Sequence, residues 1–135
     1  MLETSDVRDL KPKRRGKYRN VKVRIGERVF DSKMEAARFV QLRRDQDDGL
    51  IFGLQVKPVY RLACGAKYIP DFEYRRKGTL TFSRHVVEDV KGFQTDVFRL
   101  KMRMMRREYG ITVELVTLPS DVVSAWLALA KWEVV

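Results

Sequence analysis

Apolar and polar residues alternate from Val21 to Ile25 in the manner of a half-buried strand, and Gly26-Glu27 reads as a turn into Arg28-Val29-Phe30. The period then changes. Ser32 is a suitable helix N-cap, Glu35 follows three residues later, and Gly49 suits a C-terminal stop, so the spacing predicts a helix between them. Glu35, Phe39 and Leu42 fall on one narrow stripe of that helix, which aims an acid the same way as core residues. Residues 51–62 read as extended, with Pro58 suiting an edge position. Cys64-Gly65-Ala66 reads as a turn. Tyr68 to Tyr74 and Thr79 to Lys91 read as two strands of a hairpin around Lys77-Gly78, and Gly92 breaks the second. Thr95 to Tyr109 predicts an amphipathic helix with Phe98, Met102, Met105 and Tyr109 as its stripe. Ile111 to Thr117 is rich in strand formers and suggests a crossover. A last helix, Ser120 to about Trp132, is apolar around most of its circumference. The expected class is α/β (α+β), a mixed central β-sheet flanked by helices.

With 135 residues, the chain has room for one compact domain, expected over 17–135 after a polar, basic N-terminal arm at 1–16. No apolar run approaches the ~20 residues that cross a bilayer. Residues 1–6 lack the apolar stretch of a secretory signal, so a cytoplasmic protein with no membrane contact is expected. The single cysteine, Cys64, excludes an internal disulfide and a cysteine-based zinc cluster.

Charge adds a partner to this picture. Lys and Arg number 28 against 18 Asp and Glu, a balance of +10 that favours a polyanion. The placement is zoned. Nine bases and one acid lie between Lys11 and Arg28, and Arg99, Lys101, Arg103, Arg106 and Arg107 form a second cluster. From Gly110 onward the only base is Lys131. Scattered charge would suit solubility alone; zoned charge suits nucleic acid.

Strand parity then suggests chemistry, because successive side chains leave opposite faces. Ile69, Asp71 and Glu73 are expected on one face, with Tyr68, Phe72 and Tyr74 on the other. On the next strand His85, Val87, Asp89 and Lys91 share a face, opposite Val86, Glu88 and Val90. Two carboxylates and an ammonium would thus meet on adjacent strands. Hard divalent cations take oxygen ligands, and one or two carboxylates plus a substrate phosphate suffice for magnesium. Such a metal activates water and offsets charge growing on phosphorus, which a neighbouring lysine reinforces.

Ile69-Pro70-Asp71-Phe72 followed by Asp89-Val90-Lys91, with seventeen residues between Asp71 and Asp89, resembles the PD-(D/E)XK nuclease motif. That superfamily includes type II restriction enzymes, Holliday junction resolvases and recombination exonucleases. Lys17-Tyr18-Arg19-Asn20, the stretch from Asp31 to Ala36, and Val87 to Gly92 are more specifically similar to its small phage-encoded endonucleases. The resemblance covers about Lys17 to Val116. It implies a restriction-endonuclease-like core, Mg²⁺ (or Mn²⁺) held by Asp71, Asp89, the Val90 carbonyl and Glu35, and Lys91 as the catalytic lysine. It also implies a basic residue on the following helix, which Lys101 supplies. DNA contacts are expected from Lys101 and from Lys13, Arg14, Arg15, Lys17, Arg19, Arg99 and Arg103.

Each assignment has a plainer counterpart. Ser32-x-x-Glu35 is also a capping box, and Lys101 could merely flank an apolar stripe. A slip of one residue would exchange Glu88 with Asp89; parity with Lys91 favours Asp89. His85 reads as a partly exposed structural histidine, Cys64 as incidental, and the methionines as core filler. The expected activity is metal-dependent endonucleolytic hydrolysis of DNA, with branched or junction DNA as the leading substrate. The alternatives are a non-catalytic nucleic-acid-binding module and an RNA-directed hydrolase on the same fold. Val122, Val123, Trp126, Leu127, Leu129, Ala130 and Trp132 either pack within the domain or form the seam of a homodimer.

Overall fold

The computed structural model describes residues 20–90 and 93–135. Strands β1 (Val23–Ile25) and β2 (Arg28–Phe30) form a hairpin turned by Gly26 at φ 62°. Helix α1 (Lys33–Asp47) starts where expected, because Ser32 Oγ accepts the Glu35 N–H at 3.1 Å. It ends at Gly49, whose φ of 79° costs a glycine little. Strand β3 (Ile51–Val56) follows, then the short pair β4 (Tyr60–Arg61) and β5 (Lys67–Tyr68) around the Cys64-Gly65 turn. Next come β6 (Phe72–Lys77), β7 (Ser83–Val90), α2 (Asp96–Tyr109), β8 (Glu114–Val116), α3 (Ser120–Leu127) and β9 (Glu133–Val134).

The fold is mixed α+β. Its central sheet has the order β3-β6-β7-β8, antiparallel except for the β7–β8 pair, which is parallel because α2 crosses over between them. A second sheet, β2-β1-β9, lies on the α1 side. The main core joins Val23 and Phe30 to Phe39 and Leu42 of α1, Phe72, Tyr74 and Val86 of the sheet, and Val123 and Leu127 of α3. A smaller core sets Phe98 and Met105 of α2 against Leu62 and Tyr68. Among the described residues, no helix is long and apolar enough to cross a membrane.

Several expected boundaries move. The predicted strand from Tyr68 to Tyr74 is two elements, because Pro70 offers no N–H to a ladder: Lys67–Tyr68 pairs with β4, and Phe72–Lys77 with the central sheet. The second hairpin strand begins at Ser83 rather than Thr79, behind a loop tip of five residues, 78–82. Pro58 lies beyond the end of β3, although β3 is an edge strand. The last helix stops at Leu127, and the chain then turns back so that Glu133–Val134 pairs with β1, a strand the apolar pattern did not announce. Of the apolar residues expected either to pack within the domain or to form a dimer seam, Val123 and Leu127 are buried against α1, while Leu129 stays 66% exposed.

Candidate active site

Strand register brings the two sequence-predicted aspartates together. Phe72 pairs with Glu88, so Asp71 and Asp89, one step further, stand at the same end of β6 and β7. Both are buried, and both line an open cavity of about 750 Å³ together with Glu35, Val90 and Lys101. Asp31, Lys57, Lys67, Tyr68 and Asn20 add to its polar wall. Glu88, by contrast, leaves the opposite face of β7. Arg38 clamps it with two bonds, Nε to Oε1 at 2.8 Å and Nη2 to Oε2 at 2.9 Å, and Tyr74 adds a third at 3.1 Å. Alternation along the strand separates the two neighbours: Glu88 is a core ion pair, and Asp89 faces the cavity.

Backbone and side-chain bonds hold the aspartates. Asp71 Oδ2 accepts the Val90 N–H at 2.7 Å, which ties the end of β7 to the residue before β6. Asp89 Oδ2 accepts the Tyr68 hydroxyl at 2.6 Å, and burial, followed by that bond to the carboxylate, pushes the Tyr68 phenol well above its usual range. Parity counted from Asp71 puts Tyr68 on the far face. The break at Pro70 resets the alternation, so the count fails for Tyr68.

Glu35 projects from the first turn of α1. Its backbone N–H caps the helix, while its carboxylate turns to Lys57, whose Nζ lies 3.0 Å from Oε1. That approach is off the hydrogen-bond direction and leaves Oε1 buried without a hydrogen-bond partner among the described residues. Burial first, and the nearby Asp71 charge second, push the Glu35 carboxyl up to about 7, with Lys57 only partly opposing them.

Lys57 has no place in the sequence reading. Its Nζ also lies 3.5 Å from Asp71 Oδ1 and 3.6 Å from Asp31 Oδ2. Burial alone would lower its pKa, but Glu35 and Asp71 outweigh that and hold it above the usual lysine range. The residue sits just past β3 with φ 55°, left-handed backbone that a non-glycine residue adopts at a cost. Its N–H donates to the Asp71 carbonyl at 2.9 Å, which fixes that conformation beside the site. Nothing in a Lys-Pro dipeptide after an apolar run signals such a placement.

Lys101, three residues after Phe98 on α2, lines the cavity and donates to the Lys67 carbonyl at 3.0 Å. Arg99 instead pairs with Asp96 at 3.2 Å, and Arg103 is exposed; neither lines the cavity. His85 contacts Glu73 at 3.3 Å, and Cys64 is exposed in its turn, so both stand apart from the cavity. The expected catalytic Lys91, and Lys13, Arg14, Arg15, Lys17 and Arg19, lie outside the described residues.

The donors are all hard oxygens, suited to magnesium rather than to softer metals. Among the described residues, no three His, Cys, Asp or Glu side chains are spaced as a ready metal cage. An acid pair completed by water and phosphate is the arrangement that fits, and the Glu35 carboxylate, ion-paired with Lys57, adds a further oxygen donor within the cavity wall.

No curated protein and no solved structure matches the chain. One family model does, over residues 15–118, a span that holds Glu35, Lys57, Asp71, Asp89 and Lys101, and the chain therefore belongs to the DUF1064 family, described as a protein of unknown function.

Proposed function

We propose that the protein is a metal-dependent nuclease that hydrolyses the phosphodiester backbone of DNA. The observation that carries this reading is the meeting of Asp71 and Asp89 at one end of adjacent strands, buried in the wall of a cavity that Glu35, Lys57, Lys67 and Lys101 also line. Two buried carboxylates with ordered partners are costly to keep together unless a cation or a reaction uses them. Asp71, Asp89 and Glu35 would hold Mg²⁺, which supplies activation of water and charge neutralisation at phosphorus.

The chain's own residues do the remaining work. Tyr68 and the Val90 N–H each fix one carboxylate oxygen, of Asp89 and Asp71 respectively, and so orient both groups in the cavity wall. Lys101 on the cavity wall attracts and orients a phosphate. Lys91, assigned by resemblance, and Lys57, assigned by position, are the two ammonium groups able to offset charge on the scissile phosphate. The expected substrate is DNA, with branched DNA as the leading form, in a cytoplasmic setting.

A rival reading has an observation behind it. Lys57 already neutralises Glu35 and Asp71, as it would in a binding module whose acids only stabilise the fold. The test is incubation of the protein with junction, duplex and single-stranded DNA and a matched RNA, with and without magnesium. Magnesium-dependent cutting of DNA that Lys91→Ala or Asp89→Asn abolishes is the expected result. Metal-independent retention on a gel without cleavage would favour the binding module, and cleavage confined to RNA would favour the third reading.

A further inference from the structure

The tip of the β6–β7 hairpin is built in a way that no feature of the cavity explains. Leu80 is 101% exposed and Phe82 77% exposed, so two large apolar side chains stand in water at the end of a projecting loop. The loop is ordered around them. Gly78 N–H donates to the Phe82 carbonyl at 2.7 Å, and Phe82 N–H to the Thr79 carbonyl at 3.1 Å, closing a turn across 79–82. Leu80 takes its first central position at φ 58°, a conformation turns of this kind reserve for Gly, Asn or Asp. Burial does not offset the strain, since the side chain is fully in water. Strain and exposure both run against stability, which points to a use outside the monomer.

The surroundings identify the partner. Between Glu73 and Glu88 the hairpin carries Arg75, Arg76, Lys77 and Arg84 and no acid. Arg84 is engaged by Glu114, Arg76 packs over the Tyr74 ring at 5.6 Å from its centroid, and Lys77 is exposed at the base of the tip. A pair of apolar side chains backed by cations is complementary to a base step flanked by phosphates. Leu and Phe are among the residues that wedge between bases, and an aromatic ring stacks on any base. Two side chains are too small to hold a second copy of this chain, which needs an interface of roughly 1,000 Å².

We infer that the β6–β7 tip is an apolar wedge that enters nucleic acid at an interrupted base step, Leu80 and Phe82 occupying the gap and Arg76 and Lys77 holding the phosphates. Six residue steps of extended strand lead from Ser83 to Asp89, roughly 20 Å at ~3.3 Å each. The wedge therefore marks a position about six nucleotides, at ~3.4 Å per step, from the bond the cavity addresses. Unstacking costs least at a nick, mismatch or branch, so the class of DNA selected is DNA with a break in its stack. This deepens the proposed function and rests only on its nucleic-acid-binding half.

The test uses the full chain in calcium without magnesium. Duplexes that are intact or nicked carry 2-aminopurine at the step, and binding is read by anisotropy and unstacking by fluorescence. The wild type is expected to prefer the nicked duplex and to raise its fluorescence. The double variant Leu80→Gly/Phe82→Ala should lose roughly tenfold in affinity for it, and the fluorescence rise, with little change on intact duplex. Leu80→Gly alone should keep or raise the melting temperature, which excludes misfolding as the cause. An unchanged preference in the double variant overturns the wedge, as does loss of self-association or of vesicle binding with nucleic-acid binding intact. If the wild type never cuts DNA in magnesium yet the variant loses the preference, the wedge stands and the nuclease reading falls.

Discussion

Glu88 and Asp89 are adjacent acids with opposite surroundings, and their substitution should separate a fold defect from a chemical one. Asp89→Asn is expected to abolish cleavage, on the order of a hundredfold or more, while DNA binding and the urea midpoint stay near wild type. Glu88→Gln leaves the bidentate Arg38 guanidinium buried against a neutral partner. Breaking such a pair costs on the order of 3 kcal/mol, so its midpoint should fall while residual folded protein still cuts. Reversal of the two phenotypes would show that Glu88, not Asp89, serves the reaction. Glu35 adds a pH dependence. Its folded carboxyl is raised from 4.5 to about 7, so its contribution to stability is full below about 4.5 and is lost as pH rises through about 7. Glu35→Gln cannot titrate and still caps α1 through its backbone, so the variant should gain stability relative to wild type at pH 8 and not at pH 4. Melting temperatures across that range check it; equal slopes in both proteins would show that Glu35 is not held protonated. The same variant is expected to lose cleavage if Glu35 serves the metal.

At the level of elements, β3 illustrates what the pattern of residues conveys and what it conceals. Helices α1 and α2 were legible because their signals are local: Ser32 and Thr95 cap, Gly49 and Gly110 stop, and the apolar stripe lies between. Asp71 and Asp89 were legible because parity within β7, and the register between β6 and β7, need only the alternation of side chains. The place of Lys57 depends on events that residue type does not encode. A register shift between Phe52 and Gln55, where Gly53 has φ 69°, and a left-handed turn before Pro58 together swing an apparently solvated lysine onto two acids. Tyr68 was missed because Pro70 interrupts the alternation counted from Asp71, and β9 because it pairs with β1, a segment distant in sequence. Lys57→Ala should leave Glu35 and Asp71 facing each other without their shared cation. The melting temperature is expected to fall by roughly 3–6 °C, and millimolar calcium to restore more of it in the variant than in wild type. Equal calcium responses would show that the acids and the lysine do not share a cation site.

On the scale of the whole molecule, the charge is divided between a basic N-terminal sequence, a basic α2 and a segment from Gly110 onward whose only base is Lys131. Among the described residues, the main core draws on side chains from Val23 to Leu127. Asn20 lines the cavity, which puts the entry of the chain into the fold at the edge of the candidate site. Residues 1–16 carry Arg8, Lys11, Lys13, Arg14 and Arg15 and precede Asn20 along the chain. Deleting them should leave the melting temperature and the cleavage chemistry near wild type and change the affinity for DNA. Every phosphate left without its cation flattens the dependence of log affinity on log salt by roughly 0.9, so two or three such phosphates would flatten it by about two to three units. Binding titrated against salt, in calcium so that no product forms, reads that slope directly. An unchanged slope would assign the backbone contacts to Arg99, Lys101, Arg103, Arg106 and Arg107 instead, and the same titration on α2 charge variants would then show the flattening. A fall in melting temperature would mean that the first sixteen residues belong to the domain, and that its boundary lies nearer the N-terminus than charge patterning places it.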